Sequence, residues 1–184
     1  MEGALKAGRY HIEEEIGSGG MGVVSRALDT RLNCKVALKE IRPEHLHDVQ
    51  YRRRLAQEAQ AAAAISHPGI ARAFDFIDDG SEAFVVYEFV EGQTLRQRLN
   101  DIRLSTQEIL EIAIKTADAL AAAHEQGFIH RDLKPENIML TPRPDGSVRI
   151  KILDFGLTKR MKFTGLPQDG AATSMETGGI TTTG

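Results

Sequence analysis

Cysteine is almost absent from this chain of 184 residues: Cys34 is the only one. An internal disulfide framework is therefore excluded, and a reducing compartment is the default. The thiol lies in RLNCKV, a turn entering a strand, and is expected to be half-buried and inert. Long apolar runs are also missing. None is longer than five residues; residues 83–87, for example, have the length of a strand and fall far short of the roughly 20 residues a membrane helix needs. The opening stretch MEGALKAGRYHIEEE lacks the apolar core of a signal peptide, so a soluble, cytoplasmic protein is expected. Nor is one sign of charge in excess. The 23 Lys and Arg against 26 Asp and Glu give a net charge of −3 with both signs interspersed, which offers no argument for a nucleic-acid partner. A hydrophobic fraction of 41% suits a globular protein with room for one domain or two small lobes.

Glycine, by contrast, is concentrated. From Tyr10 the pattern alternates through Ile12 and Ile16, breaks at Gly17, Ser18, Gly19, Gly20, Met21 and Gly22, and resumes at Val23 and Val24. This predicts strand, glycine turn, strand. Gly17, Gly19 and Gly22 form GxGxxG, which is either a phosphate cradle or a set of turn glycines. A dinucleotide fingerprint would need a helix directly after it, whereas residues 23–28 continue as strand. A third strand over residues 35–41 puts Ala37, Lys39 and Ile41 on one face. Residues 50–65 are predicted helical, and there Leu55, Glu58, Ala62 and Ile65 share a stripe. A lysine on an apolar strand face and a carboxylate in an apolar helix stripe account for each other as a buried ion pair.

Residues 70–77 and 83–89 read as two further strands around an Asp78, Asp79, Gly80 turn. The texture then turns helical, with a short piece over residues 94–99 and a longer helix opened by the capping box Ser105 to Glu108 and closed near Gly127. Next comes HRDLKPEN, residues 130–137, which packs cations, two carboxylates and a carboxamide between apolar flanks, as a polar loop held between buried pieces would. His124 and His130 have no companions at ligand spacing and are expected to be structural. Short strands over residues 138–140 and 148–153 bring Asp154 to a strand end, where a carboxylate can reach a metal. Past Gly156 the sequence is rich in Gly, Thr and Ser without a core-forming period.

In this order IGSGGMGVV, VALKE, HRDLKPEN and DFG make residues 10–156 resemble the eukaryotic-type serine/threonine protein kinases, especially bacterial members. The resemblance implies an α+β fold of two lobes. Residues 1–90 would form an N-lobe of a five-stranded antiparallel sheet and one helix, 91–156 the start of an incomplete helical C-lobe, and 157–184 part of a mobile activation segment. It also implies ATP with Mg2+, and a protein serine or threonine as acceptor, the chain itself included. Gly17, Ser18, Gly19, Gly20 and Gly22 would close over the phosphates. Lys39, paired with Glu58, would contact them. Ile16, Val24, Ala37, Tyr87 and Leu140 would enclose adenine, with Glu88 and Val90 as backbone contacts. Asp132 would act as base beside Lys134, which favours serine/threonine over tyrosine, and Asn137 and Asp154 would hold the metal. Arg131 would receive a phosphate placed on one of the downstream threonines or serines, such as Thr173 or Ser174.

Two features depart from the family pattern: Ser25 replaces a common aromatic, and Tyr87 is bulky for its position at the back of the pocket. The sequence also reaches Gly184 without the APE motif, so about a third of a family domain is expected to be missing and phosphorylation by these residues to be impaired. A nucleotide-binding regulatory or pseudokinase-like module, or an inactive gene fragment, is the alternative, and a membrane anchor downstream would be compatible with either.

Overall fold

A computed structural model of the protein describes residues 5–19, 22–144 and 147–154, together with the backbone of Lys159–Arg160. Gly20, the Phe155 and Gly156 of DFG, and the activation-segment threonines and serines lie outside the described residues. The chain opens with β1 (Leu5–Lys6), β2 (Tyr10–Gly19), β3 (Gly22–Asp29) and β4 (Cys34–Glu40), followed by α1 (Val49–Ala64), β5 (Ala73–Asp78) and β6 (Ala83–Glu88). The strands join in one antiparallel sheet of order β1-β2-β3-β4-β6-β5. The expected five strands are all present, and the two-residue β1 adds a sixth at the edge beside β2.

Both faces of this sheet are covered, which is why β4 does not alternate cleanly between buried and exposed. One face gathers Tyr10, Ala27, Val36, Leu38, Phe84 and Val86, with Tyr10 and Phe84 in an edge-to-face contact at 5.9 Å. The other gathers Ile41, Ala83, Val85 and Tyr87 against Leu55, Ala59 and Ala62 of α1. Asp48 caps α1 by accepting a hydrogen bond from the Gln50 N–H. Cys34 is exposed rather than half-buried, because it is the first residue of β4 after the β3–β4 turn and precedes the buried part of that strand.

The second part contains β7 (Gln93–Thr94), α2 (Leu95–Asp101), α3 (Thr106–Glu125), β8 (Phe128–Ile129), a 3-10 turn at Pro135–Asn137, β9 (Ile138–Pro142), β10 (Val148–Ile152) and β11 (Lys159–Arg160). Both helices begin with complete capping boxes, Thr94 with Gln97 and Ser105 with Glu108. Gly127, at φ 80°, follows the C-terminus of α3 in the left-handed region. Here the core is Ile112, Ala119 and Ala123 of α3 packed on Ile138, Leu140, Ile150 and Ile152, and Ala61 and Ile65 at the end of α1 reach into it. A backbone seam joins the two parts: Ala71 N–H donates to Ile152 C=O at 2.9 Å, and Ile152 N–H to Gly69 C=O at 2.8 Å. The seam sets the segment that ends in Asp154 against the sheet that carries Lys39. Among the described residues no helix is long and apolar enough to cross a membrane.

Candidate active site

Lys39 sits on β4, on the α1 side of the sheet, with 8% of its side chain exposed. A cation so placed must be neutralised. Its Nζ donates to Glu58 Oε1 at 2.7 Å and to Asp154 Oδ1 at 2.7 Å, so one ammonium bridges a buried helix carboxylate and a carboxylate two residues past the end of β10. Burial pulls the Lys39 pKa down, but the Asp154 and Glu58 charges outweigh it and leave the value above that of an ordinary lysine. Glu58 is pushed up, by burial first and by Asp154 as well, against the pull of Lys39. Tyr87 completes the cluster: its hydroxyl donates to the same Glu58 Oε1 at 2.9 Å, and burial with that neighbouring charge drives the phenol well above its usual range.

A cleft with a mostly apolar lining opens beside this cluster. Ile16, Val24, Ala37, Tyr87 and Val90 line it, as does Glu88. Leu140 does not. Strand alternation turns Ile138 and Leu140 into the α3 core, so Met139, half-buried between them, is the residue that faces the cleft. Ala71, Phe89 and Leu153 also line the cleft, and no local sequence signal marks them, because their place depends on the seam between the two parts. The Glu88 N–H is committed to Arg72 C=O at 2.9 Å, and its carboxylate accepts from Lys151 Nζ at 2.6 Å.

Gly17, Ser18 and Gly19 are exposed at the end of β2, with Gly19 paired to Gly22. Gly22 has φ 151°, and a Cβ there would stand 2.0 Å from the Glu40 carbonyl oxygen. The hairpin therefore lies against β4 at a distance only glycine permits.

The 130–137 loop is pinned at both ends to the strand that leads to Asp154. His130 is 2% exposed, its Nε2 lies 2.8 Å from Leu153 C=O, and its Nδ1 accepts from the Asp132 N–H at 3.3 Å. The neutral Nε2–H tautomer satisfies both contacts. Leu153 N–H returns to Asn137 C=O at 2.8 Å. Asn137 Nδ2 donates to Asp132 C=O at 2.8 Å, fixing the chord of the loop. Lys134 Nζ donates to Asp132 Oδ2 at 2.8 Å and holds that carboxyl below the ordinary range, so Asp132 is an anion at neutral pH. Arg131 and Asp154 have φ of 63° and 55°, left-handed conformations that cost a non-glycine residue about 1–3 kcal/mol and gather at functional sites.

With Asn137 Nδ2 spent on Asp132, its Oδ1 is available to a metal, as is Asp154 Oδ2. No group of three His, Cys, Asp or Glu among the described residues forms a metal cage. One carboxylate and one amide oxygen fit Mg2+, a hard ion held by few protein ligands together with substrate phosphates.

Comparison with known proteins gives the family of the chain. The family model described as protein kinase domain matches residues 10–175. The chain belongs to the protein kinase domain family. Among curated relatives of the chain, a probable serine/threonine-protein kinase of Streptomyces coelicolor is 38% identical over 164 residues, covering 86% of this chain and 24% of the relative. Serine/threonine-protein kinase PknA of Mycobacterium tuberculosis is 37% identical over 174 residues, covering 91% and 39%. The crystal structure of the Mycobacterium tuberculosis PknI kinase domain superposes with a TM-score of 0.69 at 32% identity, covering 85% of this chain and 62% of that one. The chain thus spans between about a quarter and two fifths of the length of these curated relatives, and less than two thirds of the solved domain.

Proposed function

We propose that this kinase domain transfers the γ-phosphate of ATP, with Mg2+, to serine or threonine hydroxyls of proteins. The observation that carries the reading is the Lys39 ammonium held at 2.7 Å from both Glu58 and Asp154 at the edge of the cleft. That arrangement presents a fixed positive charge beside a metal-competent carboxylate, which is what a triphosphate needs. Ile16, Val24, Ala37 and Met139 would enclose the adenine, and the glycine hairpin would cover the phosphates. Bound Mg2+ would be held by Asn137 and Asp154, and supplies neutralisation of the phosphate charge.

Asp132 would orient the acceptor hydroxyl and take its proton through Oδ1, since Oδ2 is occupied by Lys134. A carboxylate kept ionised by Lys134 is a weak base, which suits a loose transition state that needs orientation more than early deprotonation. Lys134 would meet the transferred group from the same loop. Such a domain works where ATP and Mg2+ are abundant, which favours the cytoplasm.

The test is transfer of labelled γ-phosphate from ATP to the protein itself and to a general basic protein substrate, followed by phosphoamino-acid analysis. Weak, Mg2+-dependent phosphoserine or phosphothreonine is expected with the wild type and none with Asp132→Ala. Equal labelling by both proteins, or label on tyrosine alone, would refute the assignment.

A further inference from the structure

The Tyr87 hydroxyl is buried in a core cluster where phenylalanine would pack equally well, and its polar contact is Glu58 Oε1 at 2.9 Å. The same oxygen accepts from Lys39 at 2.7 Å. We propose that the Tyr87 hydroxyl is a positioning group for the Lys39–Glu58 pair, holding the Glu58 carboxylate against β6 so that Lys39 stays aimed at the phosphates of a bound nucleotide. The proposal rests on the assignment of Lys39 to ATP.

Two features of the packing make this hold necessary. First, α1 offers the sheet little shape to fix its placement: its buried residues are Leu55, Glu58, Ala59, Ala61 and Ala62, only one of them a large apolar side chain. Small alanines slide over an apolar surface at low cost, whereas a directed hydrogen bond to a buried carboxylate does not. Second, Lys39 cannot fix Glu58 alone, because its ammonium is divided between Glu58 and Asp154 at equal distance. Anything that draws Lys39 toward Asp154 or toward a phosphate loosens Glu58, unless Glu58 has a partner that does not move with them. Tyr87 is that partner. It lies on β6 directly across from Ala37 of β4 and continues into Glu88, Phe89 and Val90 of the cleft wall. The hydroxyl therefore connects the wall around the base to the helix that steadies the phosphate-side lysine. Its effect on Glu58 has the expected direction: its hydrogen bond, with the Lys39 interactions, holds the carboxyl down against the upward push of burial and Asp154.

The experiment uses the full 184-residue chain and Tyr87→Phe, which keeps the ring. Calorimetry with MgATP should show about tenfold weaker binding, the loss of a hydrogen bond to a charged group. Carbon-13 titration of the Glu58 carboxyl should show its midpoint moved upward. In a Glu58→Leu background the same change should leave MgATP affinity unaltered, because the hydroxyl acts through Glu58. In the wild type, the Tyr87 hydroxyl proton should be protected from exchange. Unchanged affinity with an unmoved Glu58 titration, an equal loss in the Glu58→Leu background, or an unprotected hydroxyl proton would each overturn the proposal. A wild-type chain that does not bind MgATP would instead refute the proposed function, and the Glu58 titration and proton exchange would still decide the role of Tyr87.

Discussion

Lys39→Met removes a cation from between two carboxylates while keeping an unbranched side chain in the same slot. Breaking one partner out of a buried ion pair costs about 3–5 kcal/mol when the other charge has no escape. Glu58 does have one, because it can take up a proton. Relative to its ordinary value of 4.5, protonation at pH 7 costs about 1.36 kcal/mol for each of about 2.5 units, which caps the loss near 3.4 kcal/mol. At pH 5.5 the same cap is about 1.4 kcal/mol. The sign follows from linkage. Glu58 already has a raised folded value, so the stability it contributes is full below 4.5 and is lost as pH rises through that folded value. Without Lys39 the folded value rises further, and the gap between variant and wild type opens with increasing pH. Urea denaturation followed by circular dichroism at the two pH values measures it. A loss of about 2–3.4 kcal/mol at pH 7 that shrinks below about 1.4 at pH 5.5 is expected. An equal loss at both, or none at pH 7, would refute the assignment of a buried, Lys39-dependent Glu58.

Lys134→Ala should let the Asp132 carboxyl rise toward its ordinary 3.8, since the Lys134 hydrogen bond is the largest cause of its depression, ahead of Asn137 and His130. The stability Asp132 contributes above 3.8, lost as pH falls through its depressed value, should then diminish, and an unmoved carbon-13 titration of Asp132 would contradict the contact. Met139→Ala should weaken MgATP binding several-fold with little loss of stability. Leu140→Ala should cost about 2–5 kcal/mol while the folded protein binds as before, and a reversed pattern would return Leu140 to the cleft. Gly22→Ala should lower both thermal stability and nucleotide affinity, about 1–3 kcal/mol from φ alone, and a neutral result would show that the hairpin is not held against Glu40.

Much of the site was legible because it obeys local periods. Lys39 and Glu58 were paired from a two-residue strand repeat and a helical stripe, with no further information. The capping boxes at Ser105 and Thr94 follow from side-chain chemistry within three residues, and Ser105 could be read directly. The same reasoning failed at Leu140, where an apolar strand between two polar segments has two candidate faces and the sequence does not say which one fronts the helix. The exposure of Cys34 is not legible for a related reason: burial in β4 begins two residues later, at Val36.

The sequence by itself determined the kinds of group at the site, their order and the strand and helix faces that carry them, because those depend on neighbours a few residues away. Only the tertiary structure decided the meetings across long separations. Asp154 reaches Lys39 from 115 residues downstream because the Ile70 and Ile152 seam sets one part against the other. Tyr87 reaches Glu58 because α1 packs over β6, the neighbour of β4. Met139 faces the cleft because Leu140 fills the core behind it. Each of these depends on which surfaces bury each other, a property of the whole chain that no short window of residues contains.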